Sequence, residues 1–148
     1  MKLSTKGRYG LRILLDIALY GDTSPRLTRD IALSQNISEK YISRLMIDLR
    51  KAGLVKSVRG AKGGYTLGRF PEDITLLEIV ETMEGRISIV DCVLTPGACE
   101  KVGACGVRRT WAEINGKIRD ALSDVTLKVI ADKLREEGQN YMFSDYCI

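Results

Sequence analysis

Cys92, Cys99 and Cys105 stand within one 14-residue stretch, spaced C-x6-C-x5-C. Pro96, Gly97, Gly103 and Gly106 interrupt the same stretch, so it reads as a loop rather than a regular helix or strand. Thiolates are soft donors, and three on one flexible segment can converge on a soft metal or an iron–sulfur centre. Three thiolates leave the fourth position of such a centre to an oxygen ligand, the distant Cys147, an external thiol or a residue of the partner chain. Asp91 and Glu100 lie nearby as oxygen donors, and the fourth cysteine, Cys147, reads as a bystander close to the end of the chain. A structural zinc site wants four closed ligands, commonly in C-x2-4-C pairs, and neither spacing nor count fits. Redox-active thiols without a metal, and thiols with no role, remain as alternatives.

The chain contains no histidine. Histidine-based acid–base chemistry, Ser-His and Cys-His nucleophiles, and every imidazole metal ligand are thereby excluded. No convincing pair of catalytic carboxylates takes their place, so the sequence points away from an enzyme.

The elements around the loop come from 148 residues, 45% hydrophobic and 28% charged, an ordinary globular balance for one domain with an appendage. Lys2, Lys6, Arg8, Arg12 and Asp16 break up the first 20 residues, so no signal-peptide core forms there. No apolar run is long enough to span a bilayer. The expectation is therefore a cytoplasmic protein with no membrane partner and no disulfide framework.

Charge is divided. Residues 1–70 carry 14 Lys+Arg and 5 Asp+Glu, or +9; residues 71–148 carry 9 and 14, or −5. A basic half joined to an acidic half suggests a polyanion-binding module coupled to a unit of different purpose.

The basic half has helix signals in series. Ser4 is a good N-cap for a helix whose apolar face includes Tyr9, Leu11, Ile13, Leu14, Leu15, Ile17, Ala18 and Leu19, ending at Gly21-Asp22. Thr28 is expected to cap a short second helix through Ile31, Ala32 and Leu33, with Gln35-Asn36 as the turn. Ser38 caps a third, Glu39 to Ala52, stopped by Gly53. Tyr41, Ile42, Leu45, Met46 and Leu49 make its core stripe, while Lys40, Ser43, Arg44 and Ile47 project elsewhere. Short helix, turn, and helix with a polar outer face make a helix-turn-helix, which places its second helix in a DNA major groove.

A hairpin follows. Leu54 to Val58 and Tyr65 to Leu67 flank Arg59-Gly-Ala-Lys62-Gly-Gly64, a basic glycine-rich tip able to approach a phosphate chain or a narrow groove. A Walker-type phosphate loop is ruled out because its Gly-Lys-Ser/Thr ending is absent. The fold expected is mostly α with a small β-hairpin wing: a winged helix-turn-helix over residues 1–84. Base contacts are expected from Ser38, Lys40, Tyr41, Ser43 and Arg44, and wing contacts from Arg59 and Lys62.

In the acidic half, Thr75 caps a helix through Met83, closed by Gly85, whose apolar face is expected to pack on the winged unit. The cysteine loop occupies residues 85–107. Residues 108–125 then form a long helix in which Trp111, Ile114, Ile118, Leu122 and Val125 recur on one side. DNA readers that recognise two half-sites are symmetric dimers, so this stripe is read as a homodimer seam. Residues 126–148 are read as a last helix, Leu127 to Glu137, folding back on the winged unit, and a tail.

Three stretches carry a family resemblance: Met1-Lys-Leu-Ser-Thr-Lys-Gly-Arg-Tyr-Gly10, the segment Leu49 to Gly68 with its Val-Arg-Gly-x-x-Gly-Gly-Tyr wing, and the cysteine loop. Together they resemble the IscR/NsrR-type (BadM-type) winged-helix regulators of bacteria, nearest in overall look to the iron–sulfur branch typified by IscR. The resemblance implies a homodimeric transcription factor on a pseudo-palindromic operator, with Arg59 in the minor groove and the third helix in the major groove. It also implies an iron–sulfur cluster, [2Fe–2S] in type, held by Cys92, Cys99 and Cys105 and reporting cluster, iron, redox or nitric oxide status, with cluster-assembly genes as the regulated set. Some members are cluster-free.

The chain departs from the pattern at several points. IscR-type members have C-x5-C-x5-C with a histidine ligand shortly after, where this chain has a six-residue first gap and Arg108. Arginine is permanently protonated and a poor ligand. Arg8 and Arg12 stand where other members recruit an acidic ligand from the partner subunit, and Ser43 replaces a glutamate that tunes base choice. The competing readings are a cluster-free thiol-redox regulator and a small iron–sulfur carrier that binds no DNA.

Overall fold

The computed structural model describes residues 3–21 and 24–137. Asp22, the tail from residue 138 and Cys147 lie outside the described residues.

Helix α1 (Thr5–Tyr20) starts where Ser4 accepts a hydrogen bond from the Lys6 amide. A second acceptor sits at the same end. Glu84 Oε1 receives the Ser4 amide at 3.1 Å, the Ser4 hydroxyl at 2.6 Å and the Gly7 amide at 2.9 Å. A carboxylate on the positive end of a helix is favourable, so this contact also fastens the helix that carries Glu84. Gly10 is needed for the same packing, because a Cβ there would lie 2.5 Å from Met83 Cγ.

Helix α2 (Thr28–Gln35) begins one residue earlier than its sequence signal: Leu27 is the N-cap and Thr28 is already helical. Asn36 turns the chain with φ 52°, a left-handed conformation that asparagine tolerates. Helix α3 (Glu39–Lys51) is capped by Ser38, whose hydroxyl accepts from the Tyr41 amide at 3.3 Å. Gly53, at φ +72°, releases the chain from α3. Leu54 is buried rather than part of the strand, and β1 (Val55–Val58) pairs antiparallel with β2 (Gly64–Leu67) in the register Val55–Leu67 to Val58–Gly64.

The acidic half returns to this unit. Helix α4 (Leu76–Glu84), capped by Thr75, packs on α1 and α3. The cysteine loop is less irregular than expected: it contains a one-turn helix, α5 (Asp91–Leu94), and a 3-10 turn at Pro96–Ala98. Helix α6 (Arg108–Ser123) follows, with Val125 beyond its end. Helix α7 (Leu127–Glu136) packs back on α1. Its start is tied to that of α4 by Leu76 N to Val125 O and Leu127 N to Ile74 O, both 2.8 Å.

One core serves these elements: Ile13, Leu14 and Ile17 of α1, Ile31 of α2, Ile42, Leu45, Met46 and Leu49 of α3, Ile79 and Met83 of α4, and Leu127 and Ala131 of α7. Burying a side chain of this size stabilises by roughly 1.5–3 kcal/mol.

Candidate nucleic-acid interface and cysteine loop

Helix α3 has two faces. Ile42, Leu45, Met46 and Leu49 are buried, while Lys40, Ser43, Arg44 and Ile47 are exposed, as is the cap Ser38. Tyr41 is half-buried on the boundary. It meets Tyr9 edge-on, with ring centroids 5.9 Å apart, and Arg12 lies over the Tyr9 ring at 5.1 Å. A surface cleft lined by Lys6, Tyr41, Arg44, Leu45 and Asp48 brings the first turn of α1 beside α3. There Lys6 Nζ lies 2.8 Å from Asp48. The Lys6 hydrogen bond holds the Asp48 carboxyl below its ordinary range, against a smaller opposing effect of burial and with help from the charges of Lys6, Lys51 and Arg44.

Sequence reasoning missed Lys6 as a neighbour of α3 and Arg12 as a neighbour of α2. The available signal was the run of cations Lys6, Arg8 and Arg12 in the first helix, with no acid before Asp16.

Arg59 and Lys62 are both exposed at the wing tip. A hydrogen bond from Gly63 N to Gly60 O, 2.9 Å, closes the tip turn. The wing root is not a free hairpin. Arg26, in the connection between α1 and α2, exchanges backbone hydrogen bonds with Tyr65 at 2.9 and 2.8 Å and extends the sheet by one residue. Gly64 permits that approach, since a Cβ there would come 2.5 Å from Arg26 O. The wing also follows α3 without a spacer: Leu54 N bonds Leu49 O at 2.9 Å and receives Gly68 N on its own carbonyl at 2.8 Å. Helix and wing therefore form one hydrogen-bonded unit that exposes Lys40, Arg44, Arg59 and Lys62. Cations on a helix and on an adjoining hairpin can contact phosphates and base edges of one duplex.

The three cysteines differ in exposure. Cys92, on α5, and Cys105 are half-buried and Cys99 is exposed, all as free thiols. Among the described residues no group of three or more Cys, Asp or Glu is placed to hold a metal ion. The donor types suit a soft cluster, and Cys92, Cys99 and Cys105 share one loop without forming such a group in this arrangement. Arg108 stands where the resemblance implies a histidine ligand. Its Nε donates to the Cys92 carbonyl at 3.2 Å, so it fastens the loop backbone to the start of α6.

Further bonds strap the entry of the loop to α6. The Ile89 amide donates to Oδ1 of the buried Asn115 at 3.1 Å. The Ile87 amide donates to Glu81 Oε1 at 3.1 Å, and Glu81 pairs with Arg119. Sequence reasoning named neither Asn115 nor Glu81; a polar residue one position from the apolar stripe of α6 was the only hint of the former.

On α6, Trp111 is 40% exposed and Ile114 38%, with Ile118 and Leu122 half-buried. Among the described residues, the apolar stripe is thus incompletely covered.

Comparison with known proteins adds identity to this geometry. Residues 3–133 match the family model described as Rrf2, iron-dependent transcriptional regulator. The HTH-type transcriptional regulator CymR of Bacillus subtilis is 41% identical over 143 residues, covering 97% of this chain and 99% of its own. Protein rrf2 of Nitratidesulfovibrio vulgaris is 40% identical, covering 92% and 89%. The solved structure of T. potens IscR superposes with a TM-score of 0.75 at 34% identity, covering 97% of this chain and 96% of its own. These relatives are regulators and not enzymes, and their match runs through helices, wing and cysteine loop alike: the chain belongs to the Rrf2 family of winged-helix transcriptional regulators.

Proposed function

We propose that this protein is a homodimeric regulator that binds double-stranded DNA at a pseudo-palindromic operator in the cytoplasm. Ser38, Lys40, Tyr41, Ser43 and Arg44 face the major groove, and Arg59 with Lys62 enters the flanking minor groove. Trp111, Ile114, Ile118 and Leu122 form the seam between two copies. The observation that carries this reading is the hydrogen-bonded union of α3 and wing, which presents exposed cations on both parts of one rigid body. Residues 1–84 with the returning α7 are the reader, and residues 85–107 are the sensory segment between the reader and the α6 seam.

The chemistry sensed has two readings. The donor types favour an iron–sulfur cluster of [2Fe–2S] type on Cys92, Cys99 and Cys105, with control of cluster-assembly genes; such a group would supply a labile, redox-sensitive centre. The free thiols of the loop, with Arg108 bonded to the Cys92 carbonyl where the resemblance implies a histidine ligand, favour a cluster-free regulator that responds through its thiols. The similarity to CymR on one side and IscR on the other is compatible with each. A free-standing iron–sulfur carrier has no support from a family of regulators.

Anaerobic purification with an absorbance spectrum and iron and sulfide assays separates the two. Iron and sulfide in equal amounts, lost on Cys92→Ser, establish the cluster. Colourless, iron-free protein after reconstitution, with DNA affinity altered by a thiol oxidant, establishes the thiol switch. DNA binding itself is tested by selecting duplexes from a random pool; failure to enrich any sequence would remove the regulator's operator.

A further inference from the structure

Asp16 is a charged side chain buried to 0% exposure in the middle of α1, away from α3's outer face, the wing tip and the cysteine loop. Its carboxylate is held from three directions. Arg26 Nε donates to Oδ1 at 2.8 Å. Ser34 and Gln35, the last two residues of α2, both donate to Oδ2, Gln35 Nε2 at 2.9 Å. Arg12 holds Gln35 in turn, with Nε on Oε1 at 3.0 Å and Nη2 on the Gln35 carbonyl at 2.7 Å. Arg26 is also gripped from its other side, over the Tyr20 ring at 5.2 Å.

Two parts of the reader meet at this carboxylate. Ser34 and Gln35 lead straight into the Asn36 turn that aims α3. Arg26 is the residue whose backbone extends the wing sheet at Tyr65. Burying an ion pair is a poor way to gain stability, because desolvation offsets the attraction, and apolar residues of similar volume often do as well. What the pair supplies beyond an apolar contact is a directed geometry at a fixed distance.

We propose that Asp16, acting through Arg26, is a positioning residue that sets the wing against α3, so that Arg59 and the recognition helix engage one DNA site in register. The inference rests on the DNA-reading function proposed above. Its specific content is that the wing's contribution, and not that of α3, depends on the Asp16–Arg26 bond.

The test is a double-mutant cycle on the full chain, using a duplex enriched from a random pool by the unaltered protein. In the unaltered background, Arg59→Ala is expected to weaken binding by about 10-fold or more. In an Arg26→Ala background, the Arg59→Ala penalty should shrink to about 3-fold or less, because the backbone bonds at Leu54 and Tyr65 remain but the wing root is no longer anchored to Asp16. The Arg44→Ala penalty should stay the same within about 2-fold in both backgrounds. Arg26→Lys, which retains the charge, should restore most of the Arg59→Ala penalty.

An undiminished Arg59→Ala penalty in the Arg26→Ala background overturns the inference. So does an equal collapse of the Arg44→Ala penalty, which signals general loosening. An Arg59→Ala change with no effect in the unaltered protein defeats the wing reading itself, and the positioning role goes with it. Should Arg26→Ala fail to fold by circular dichroism, Arg26→Gln, which leaves the Ser34 and Gln35 bonds to Asp16 in place, is carried through the same cycle with the same outcomes.

Discussion

Glu81 on α4 and Arg119 on α6 form a two-pronged ion pair across the joint between the winged unit and the long helix, with the Nη2 to Oε2 contact at 3.4 Å. The same carboxylate accepts the Ile87 amide, at the point where the chain leaves α4 for the cysteine loop. One side chain therefore holds reader, long helix and loop entry together. Burial pushes the Glu81 carboxyl up, but the Arg119 hydrogen bond, the Ile87 amide and the charges of Arg119 and Arg86 prevail and hold it below its ordinary value of 4.5. A carboxyl lowered by folding adds stability that is complete above its unfolded value and disappears as pH falls through the folded one. Urea unfolding should therefore show Glu81→Gln less stable than the unaltered protein at pH 7, with the gap closing as pH drops below 4.5. A gap that is constant down to pH 3 would remove the ion pair as its cause.

Salt should weaken DNA binding steeply, because cations on α3 and the wing displace counterions from phosphates. Lys62→Ala is expected to lower affinity evenly across sequences and reduce the salt slope by about one unit. Arg59→Ala should instead flatten the preference among selected duplexes. Fluorescence anisotropy over a salt series reads both quantities.

Ile118→Glu should yield monomers in sedimentation velocity, since it places a charge within the half-covered stripe of α6. Lys117→Glu, on an exposed neighbouring position, should leave the mass unchanged. Equal masses for both variants would reject α6 as the seam.

Arg108→Ala removes the hydrogen bond from the guanidinium to the Cys92 carbonyl and should free the loop from the start of α6. The rate of thiol modification at Cys92, half-buried in the intact protein, should rise several-fold, as expected for local opening that costs on the order of 1 kcal/mol less. Labelling with a thiol reagent followed by peptide mass mapping resolves Cys92 from the exposed Cys99.

Thr126→Ala should cost about 1 kcal/mol of unfolding free energy, because the Thr126 hydroxyl caps α7 by accepting the Val129 amide at 3.3 Å. Thr126 lies away from the helix-and-wing unit, so DNA affinity should be retained at temperatures where the variant is folded.

Much of this molecule follows from short-range rules. Ser4, Ser38 and Thr75 mark helix starts because a side-chain oxygen can satisfy an orphan amide two or three residues on. Gly53 marks a stop because the left-handed conformation suits a residue without a Cβ. The spacing of Ile42, Leu45, Met46 and Leu49 identifies the inner face of α3, which by subtraction exposes Lys40, Ser43 and Arg44. Each inference spans at most a few turns of chain, where backbone geometry alone dictates which atoms can meet.

The tertiary structure decided what depends on distant partners. Asp16 meeting Arg26 and Gln35, Lys6 meeting Asp48, and Glu81 meeting Arg119 are pairings across 10 to 42 residues of chain, and each charged residue has other partners of the right sign in the sequence. Helix packing selects among them by bringing particular Cβ atoms within reach. The cysteine triplet illustrates the same limit in the opposite direction. Its spacing permits three thiols to converge, yet where each one stands is set by α5, by the Pro96–Ala98 turn and by the Arg108 bond to the Cys92 carbonyl. Sequence determines which donors a loop contains; the folded surroundings determine where it can bring them.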